Sequence, residues 1–131
     1  MGDYDLAKFG PWYGDLYSSI EETIDSVNLL RRIPANVFLT SHETGVFLGD
    51  PGKLWDSFLN VIFERENRLL EFLNEPRTME EIVEACIIYG RPREPKAFFE
   101  LGERGLMKKH LERLMRSGRV VQQKGRYIKI G

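Results

Sequence analysis

Asp50-Pro51-Gly52 cuts the chain into two stretches of unlike pattern, and this most constrains the fold. Such a triplet is a turn signal, because proline presets one backbone angle and glycine accepts conformations other residues avoid. Before it stand a loop, one helical pattern and one short β-prone run. After it the pattern is helical and ends in two β-prone runs. The first stretch makes a poor domain alone: one helix cannot cover both faces of a buried, parallel-type strand, which needs neighbours on each side.

The loop is residues 1–17, punctuated by Phe9-Gly10-Pro11-Trp12-Tyr13-Gly14. Ser18 with Glu21, or Ser19 with Glu22, makes a capping box. Ile20, Ile24, Val27 and Leu30 then recur at helical spacing, predicting a helix over about 19–32 that stops before Pro34. Val37 to Thr40 reads as a buried strand running into the polar end Ser41-His42-Glu43-Thr44-Gly45. Past the turn, Trp55, Phe58, Leu59, Ile62, Leu69 and Leu73 mark a helix over about 53–74. Thr78 with Glu81 opens another helix, carrying Ile82, Val83, Cys86 and Ile87 to near Gly90. A third is predicted over about 95–117, with Met107, Leu111 and Leu114 on one face. Gly102 and Gly105 are candidate interruptions, and Gly118 is its C-terminal cap. Two β-prone runs around Gln123-Lys124-Gly125-Arg126 read as a hairpin.

Composition excludes several classes. With 42% hydrophobic and 30% charged residues, the chain is neither disordered nor collagen-like. One cysteine, Cys86, excludes an internal disulfide and a zinc ribbon. No run of about 18 apolar residues exists to cross a membrane. The acidic start has no signal-peptide apolar region, so a cytoplasmic setting is expected. The formal net charge of −1 hides an asymmetry. Residues 1–52 hold eight acids against three bases, whereas residues 104–131 hold nine bases against Glu112 alone. Lys108, Lys109, Arg113, Arg116, Arg119, Lys124 and Arg126 are therefore candidates for nucleic-acid phosphate contacts, against the simpler reading of a solvated face.

Three helices followed by a basic hairpin outline a winged helix, a unit that also serves protein contact and dimerisation. The N-terminal stretch adds a second likeness. Gly2-Asp3-Tyr4-Asp5-Leu6, the aromatic-glycine loop, a helix containing Asp25-Ser26, and Phe38-Leu39-Thr40-Ser41-His42 occur in that order. The order resembles the C-terminal part of the metallo-β-lactamase-fold hydrolases, and residues 53–131 resemble the winged-helix tail of members near the lactamase-β-like subgroup. The resemblance implies an α+β, mostly helical chain: residues 1–52 as an incomplete α/β remnant of the hydrolase core, residues 53–131 as a winged-helix-like domain. It implies metal-ligand roles for Asp3, which would bridge two ions, and for His42, with Asp5 as the competing carboxylate. The implied cofactor is zinc or another divalent metal, and the implied parent activity is hydrolysis of a small-molecule substrate by metal-activated water. Trp12 and Tyr13 are candidate pocket-lining residues, weighed against simple packing of the loop.

The chain departs from that family in its ligands. The His-x-His-x-Asp-His cluster is absent, and only His42 and His110 are present. A catalytic zinc needs three protein ligands and an open position. The expectation is the last third of such an enzyme, inactive alone, binding metal weakly or not at all. No Gly-rich phosphate loop or Ser-His-Asp arrangement offers an independent activity. His110 reads as a surface or partly buried helix residue and Cys86 as a small core residue. Apolar residues left without their sheet predict a homodimer or strand exchange. The alternative is a freestanding winged-helix module binding nucleic acid or protein.

Overall fold

A computed structural model describes residues 8–33, 37–39, 46–48 and 52–131, with backbone only for 37–39 and 46–48. The chain divides into two compact units: Met1–Trp12 with Ser19–Glu64, and Tyr13–Ser18 with Arg65–Gly131.

In the first unit, helix α1 spans Ile20–Arg32. Ser19 is its cap: the hydroxyl accepts the Glu22 N–H at 3.0 Å. Glu21 and Glu22 lie at its positive end, Arg31 and Arg32 at its negative end, as the helix dipole favours. The helix stops at Ile33, which is extended ahead of Pro34. Val27 is buried with Trp55 and Phe58, from the first turns of helix α2 (Lys53–Phe72). The Arg31–Asp56 pair, 2.8 Å apart, is exposed enough to add little.

Strand β1, Val37–Leu39, pairs antiparallel with β2, Val46–Leu48, in the register Val37↔Leu48. This corrects the expectation of a lone parallel-type strand. The tripeptide Val-Phe-Leu occurs twice, at 37–39 and 46–48, and each copy supplies the other with backbone partners.

The second unit is built from the end of α2, α3 (Met79–Glu84), α4 (Lys96–Arg116), β3 (Val120–Gln123) and β4 (Arg126–Lys129). Its core gathers Leu69, Leu70 and Leu73 of α2, Ile82 of α3, Met107, Leu111 and Leu114 of α4, and Val120 of β3. The Thr78–Glu81 capping box is present in both directions. Helix α3 is shorter than its apolar spacing predicts. It ends at Glu84, and Cys86 takes a left-handed backbone angle (φ 52°) that turns the chain away. Helix α4 runs through both Gly102 and Gly105 without a break.

The hairpin turn falls on Lys124-Gly125, both at positive φ, as a two-residue connection requires. Arg77 adds a single-residue rung on the far side of β4. Its N–H and C=O exchange hydrogen bonds with Tyr127 at 2.9 and 2.7 Å. No helix among the described residues is long and apolar enough to cross a membrane.

Candidate functional site

Asp3, Asp5 and His42 lie outside the described residues. Trp12 is 38% exposed, whereas Tyr13 is fully buried. Neither lines the cavity beside the end of α3 or the one against the first turns of α2.

The basic residues of the second unit are largely engaged by neighbours. Arg113 and Arg119 reach Glu66 at 3.5 and 3.8 Å. Arg126 pairs with Glu81 at 3.1 Å, and Lys109 donates to the Leu16 carbonyl at 3.4 Å. Lys108, Arg116 and Lys124 are exposed.

The most organised polar group of the second unit is one the sequence reading did not assemble. Arg65, Glu66, Glu103 and His110 are all buried. His110, expected at or near the surface, has no exposed area. The α4 stripe explains this: Leu106, Met107, His110, Leu111 and Leu114 recur at three- and four-residue spacing, so the imidazole sits in phase with the core. On α2, Arg65 and Glu66 sit likewise between Ile62 and Leu69.

Tyr13, Arg65, Glu66 and His110 form a chain of hydrogen bonds. His110 Nδ1 lies 3.0 Å from Glu66 Oε2, and His110 Nε2 lies 2.5 Å from Tyr13 Oη. An Arg65 N–H donates to Tyr13 Oη at 3.1 Å, and the guanidinium stands 5.6 Å from the Tyr13 ring centre. Burial pushes the His110 pKa down, more than its bond to Glu66 raises it, and Arg65 and Arg113 push the same way. The imidazole is therefore neutral at neutral pH. The tautomer that serves both partners carries its proton on Nδ1, donating to Glu66, and accepts the Tyr13 O–H on Nε2. Burial opposes ionisation of Glu66, but the His110 bond and the Arg113 and Arg119 charges outweigh it and hold the carboxyl below its ordinary range. Burial also pushes the Tyr13 phenol up, against Arg65, so it remains a donor.

A phenol, an imidazole and a carboxylate in this order match a nucleophile, its base and an orienting acid. Here the phenol is sealed from solvent, and the chain of bonds holds residues 13–18 in place. Tyr13→Phe should cost about 1–2 kcal/mol, since it removes the hydroxyl that bonds both the buried imidazole and Arg65. Urea denaturation of the two proteins measures it.

A metallo-beta-lactamase family protein from Thermus thermophilus has the same fold over this region, with a TM-score of 0.74 and 24% identity. The match covers 98% of this chain and 40% of that one, so the chain spans well under half of its length. No protein-family model matches the chain, and no curated protein does. The intact metallo-beta-lactamase family uses a divalent metal. Among the described residues no three His, Cys, Asp or Glu side chains come together to hold one, and His110 is committed to Tyr13 and Glu66. The described residues do not fit such a metal.

Proposed function

We propose that the chain is the C-terminal region of a metal-dependent hydrolase of the metallo-β-lactamase superfamily, with zinc the metal of the intact enzyme. The observation that carries this reading is the fold likeness over 98% of the chain. In this reading Asp3 and His42 are metal ligands contributed to a site whose remaining ligands lie in other parts of the enzyme. Two ligands fall short of the three a catalytic zinc needs, so the chain alone is inactive. The setting is cytoplasmic and the substrate a small molecule.

Residues 53–131 act as a winged-helix tail. Support comes from the order of three helices and a hairpin, and from the Arg77 rung that gives the hairpin a third strand position. The tail serves protein contact, and the chain associates with itself. Light scattering should show a dimer; a strict monomer would contradict that part of the reading.

Metal analysis of the purified chain tests the central claim. Expected is far less than one tightly held zinc per chain, with no hydrolysis of lactam, lactone, thioester or phosphodiester substrates. Stoichiometric zinc with hydrolase activity would overturn it. Nucleic-acid binding is the weaker alternative, because Glu66 and Glu81 already engage three of the seven basic candidates. A duplex-binding assay at low salt should detect nothing; binding that weakens steeply with salt would revive that reading.

A further inference from the structure

The second unit also contains a cavity that the proposed hydrolase reading does not use. It has a volume of about 400 Å³ and is lined by the end of α3, the segment after it and the first turns of α4. The left-handed turns at Cys86 and Gly90 create it, by taking the chain out of α3 and back toward α4. Val83, Tyr89, Pro92 and Phe99 supply apolar lining, and the Tyr89 and Phe99 rings meet edge to face with centres 5.0 Å apart. That size and lining suit one small organic molecule.

The charged lining decides what kind. Glu103 is only 2% exposed, and its carboxylate is occupied by the backbone N–H groups of Ile88 (2.9 and 3.1 Å) and Tyr89 (3.2 Å). Glu100 faces Lys96 at 3.7 Å. Glu84 is the remaining acid, against Arg91 and Arg93. Arg93 gives one N–H to the Tyr89 carbonyl at 3.2 Å, and Arg91 has no ion-pair partner among the described residues. The cations also gather at the wrong end of a helix. Lys96 opens the 21-residue α4, whose first turn holds no acid and whose cap residue, Pro95, offers no side-chain acceptor. Among the described residues, the Glu94 carboxylate, at 3.2 Å from the Lys96 N–H, answers that positive pole. Basic residues at a helix N-terminus are electrostatically unfavourable, and an anion relieves them.

We propose that this cavity binds a small organic anion with a flat apolar body, such as an aromatic carboxylate. The ring lies among Val83, Tyr89 and Phe99, and the carboxylate is held by Arg91 and Arg93, whose planar forks match it.

Cys86 makes the proposal measurable. It is the single cysteine of the chain and it lines the cavity. Burial, with Glu103 and Glu100 nearby, raises its thiol pKa, so alkylation by iodoacetamide is slow and easily timed. The probe is 2-naphthoate, added to the full chain while Cys86 alkylation is followed by mass spectrometry. Saturable protection is expected, with a Kd on the order of 1 mM for a ligand of this size. The cation 2-naphthylmethylammonium should protect much less. In the double variant Arg91→Gln, Arg93→Gln, both in exposed positions, naphthoate protection should disappear when read against that variant's own rate without probe. Three results would each overturn the proposal: no protection by naphthoate, equal protection by the ammonium probe, or full protection in the double variant. None of them bears on the hydrolase reading, which metal content tests separately.

Discussion

Glu66→Ala should lower the stability of the protein by about 3–5 kcal/mol, the scale expected when one partner of a buried charged group is removed. The variant leaves the His110 Nδ1–H without its acceptor and Arg113 and Arg119 without their shared anion. In a chain of 131 residues the melting temperature should fall by roughly 10–15 °C. Calorimetry or circular dichroism checks it. A loss no larger than that of an exposed glutamate would mean that Glu66 is not held as described.

The same group sets a pH dependence. Glu66 ionises more readily in the fold than its ordinary value of 4.5, so its contribution is full above that pH and is lost as pH falls through the lowered value. His110 acts in the same direction. Its pKa is below the ordinary 6.5, so the unfolded chain takes up a proton first and stability begins to fall below about pH 6.5. Glu103 opposes them: burial raises its pKa against the bonds from Ile88 and Tyr89, so its share is present at acid pH and lost as pH rises through the raised value. Asp15, lowered by its Ser18 bond, and Glu81, lowered by its Thr78 bond, act with Glu66, so the urea midpoint should drop between about pH 7 and about pH 4. In Glu66→Ala that drop should be shallower. An unchanged slope would remove Glu66 from the account.

Gly105→Ala is the second large effect, and its sign is the informative part. Alanine in the middle of a helix ordinarily gains up to about 1 kcal/mol over glycine. Here a Cβ would stand 2.7 Å from the Gly14 carbonyl oxygen, with Gly14 Cα and C at 3.4 Å. Backbone cannot swing aside as a flexible side chain would. Residues 13–18 are also tied to α4 by Tyr13 and by the Lys109 bond to Leu16. Overpacking of this kind costs about 1–3 kcal/mol, so the variant should be less stable than the parent. Combined with Tyr13→Phe, the losses should not add, because both act on the same docked segment. A Gly105→Ala protein more stable than the parent would show that the close approach does not exist.

Much of the local structure was legible in the residues. Ser19, Thr78, Gly118 and Lys124-Gly125 mark caps and turns whose chemistry depends only on near neighbours in the chain, and each is found in its expected role. The break at Ile33 before Pro34 is local in the same way. Less legible were features that need a distant partner. The repeated Val-Phe-Leu was in view, yet reading 37–40 as one buried strand left the second copy without a role. Cys86 fits the apolar spacing of α3, but its left-handed turn follows from the path of the chain toward α4. Gly105 read as a weak point in a helix and is instead the place where another backbone comes close.

The buried polar group marks the boundary most clearly. Helical periodicity alone places His110 beside Leu106, Met107 and Leu111, and Arg65 and Glu66 between Ile62 and Leu69, so their core-facing phase belongs to the sequence. Which of these polar groups meet does not. Tyr13 lies 97 positions from His110, and Glu66 lies 44. Burying a charge or an imidazole is costly unless a partner arrives with the right geometry, and only the packing of α2, α4 and residues 13–18 brings those partners together. The sequence by itself determined where the helices start, the Ser19 and Thr78 caps and the hairpin turn. The tertiary structure decided that its one described histidine ties a loop to the core, because hydrogen-bond partners so far apart in the chain are chosen by packing.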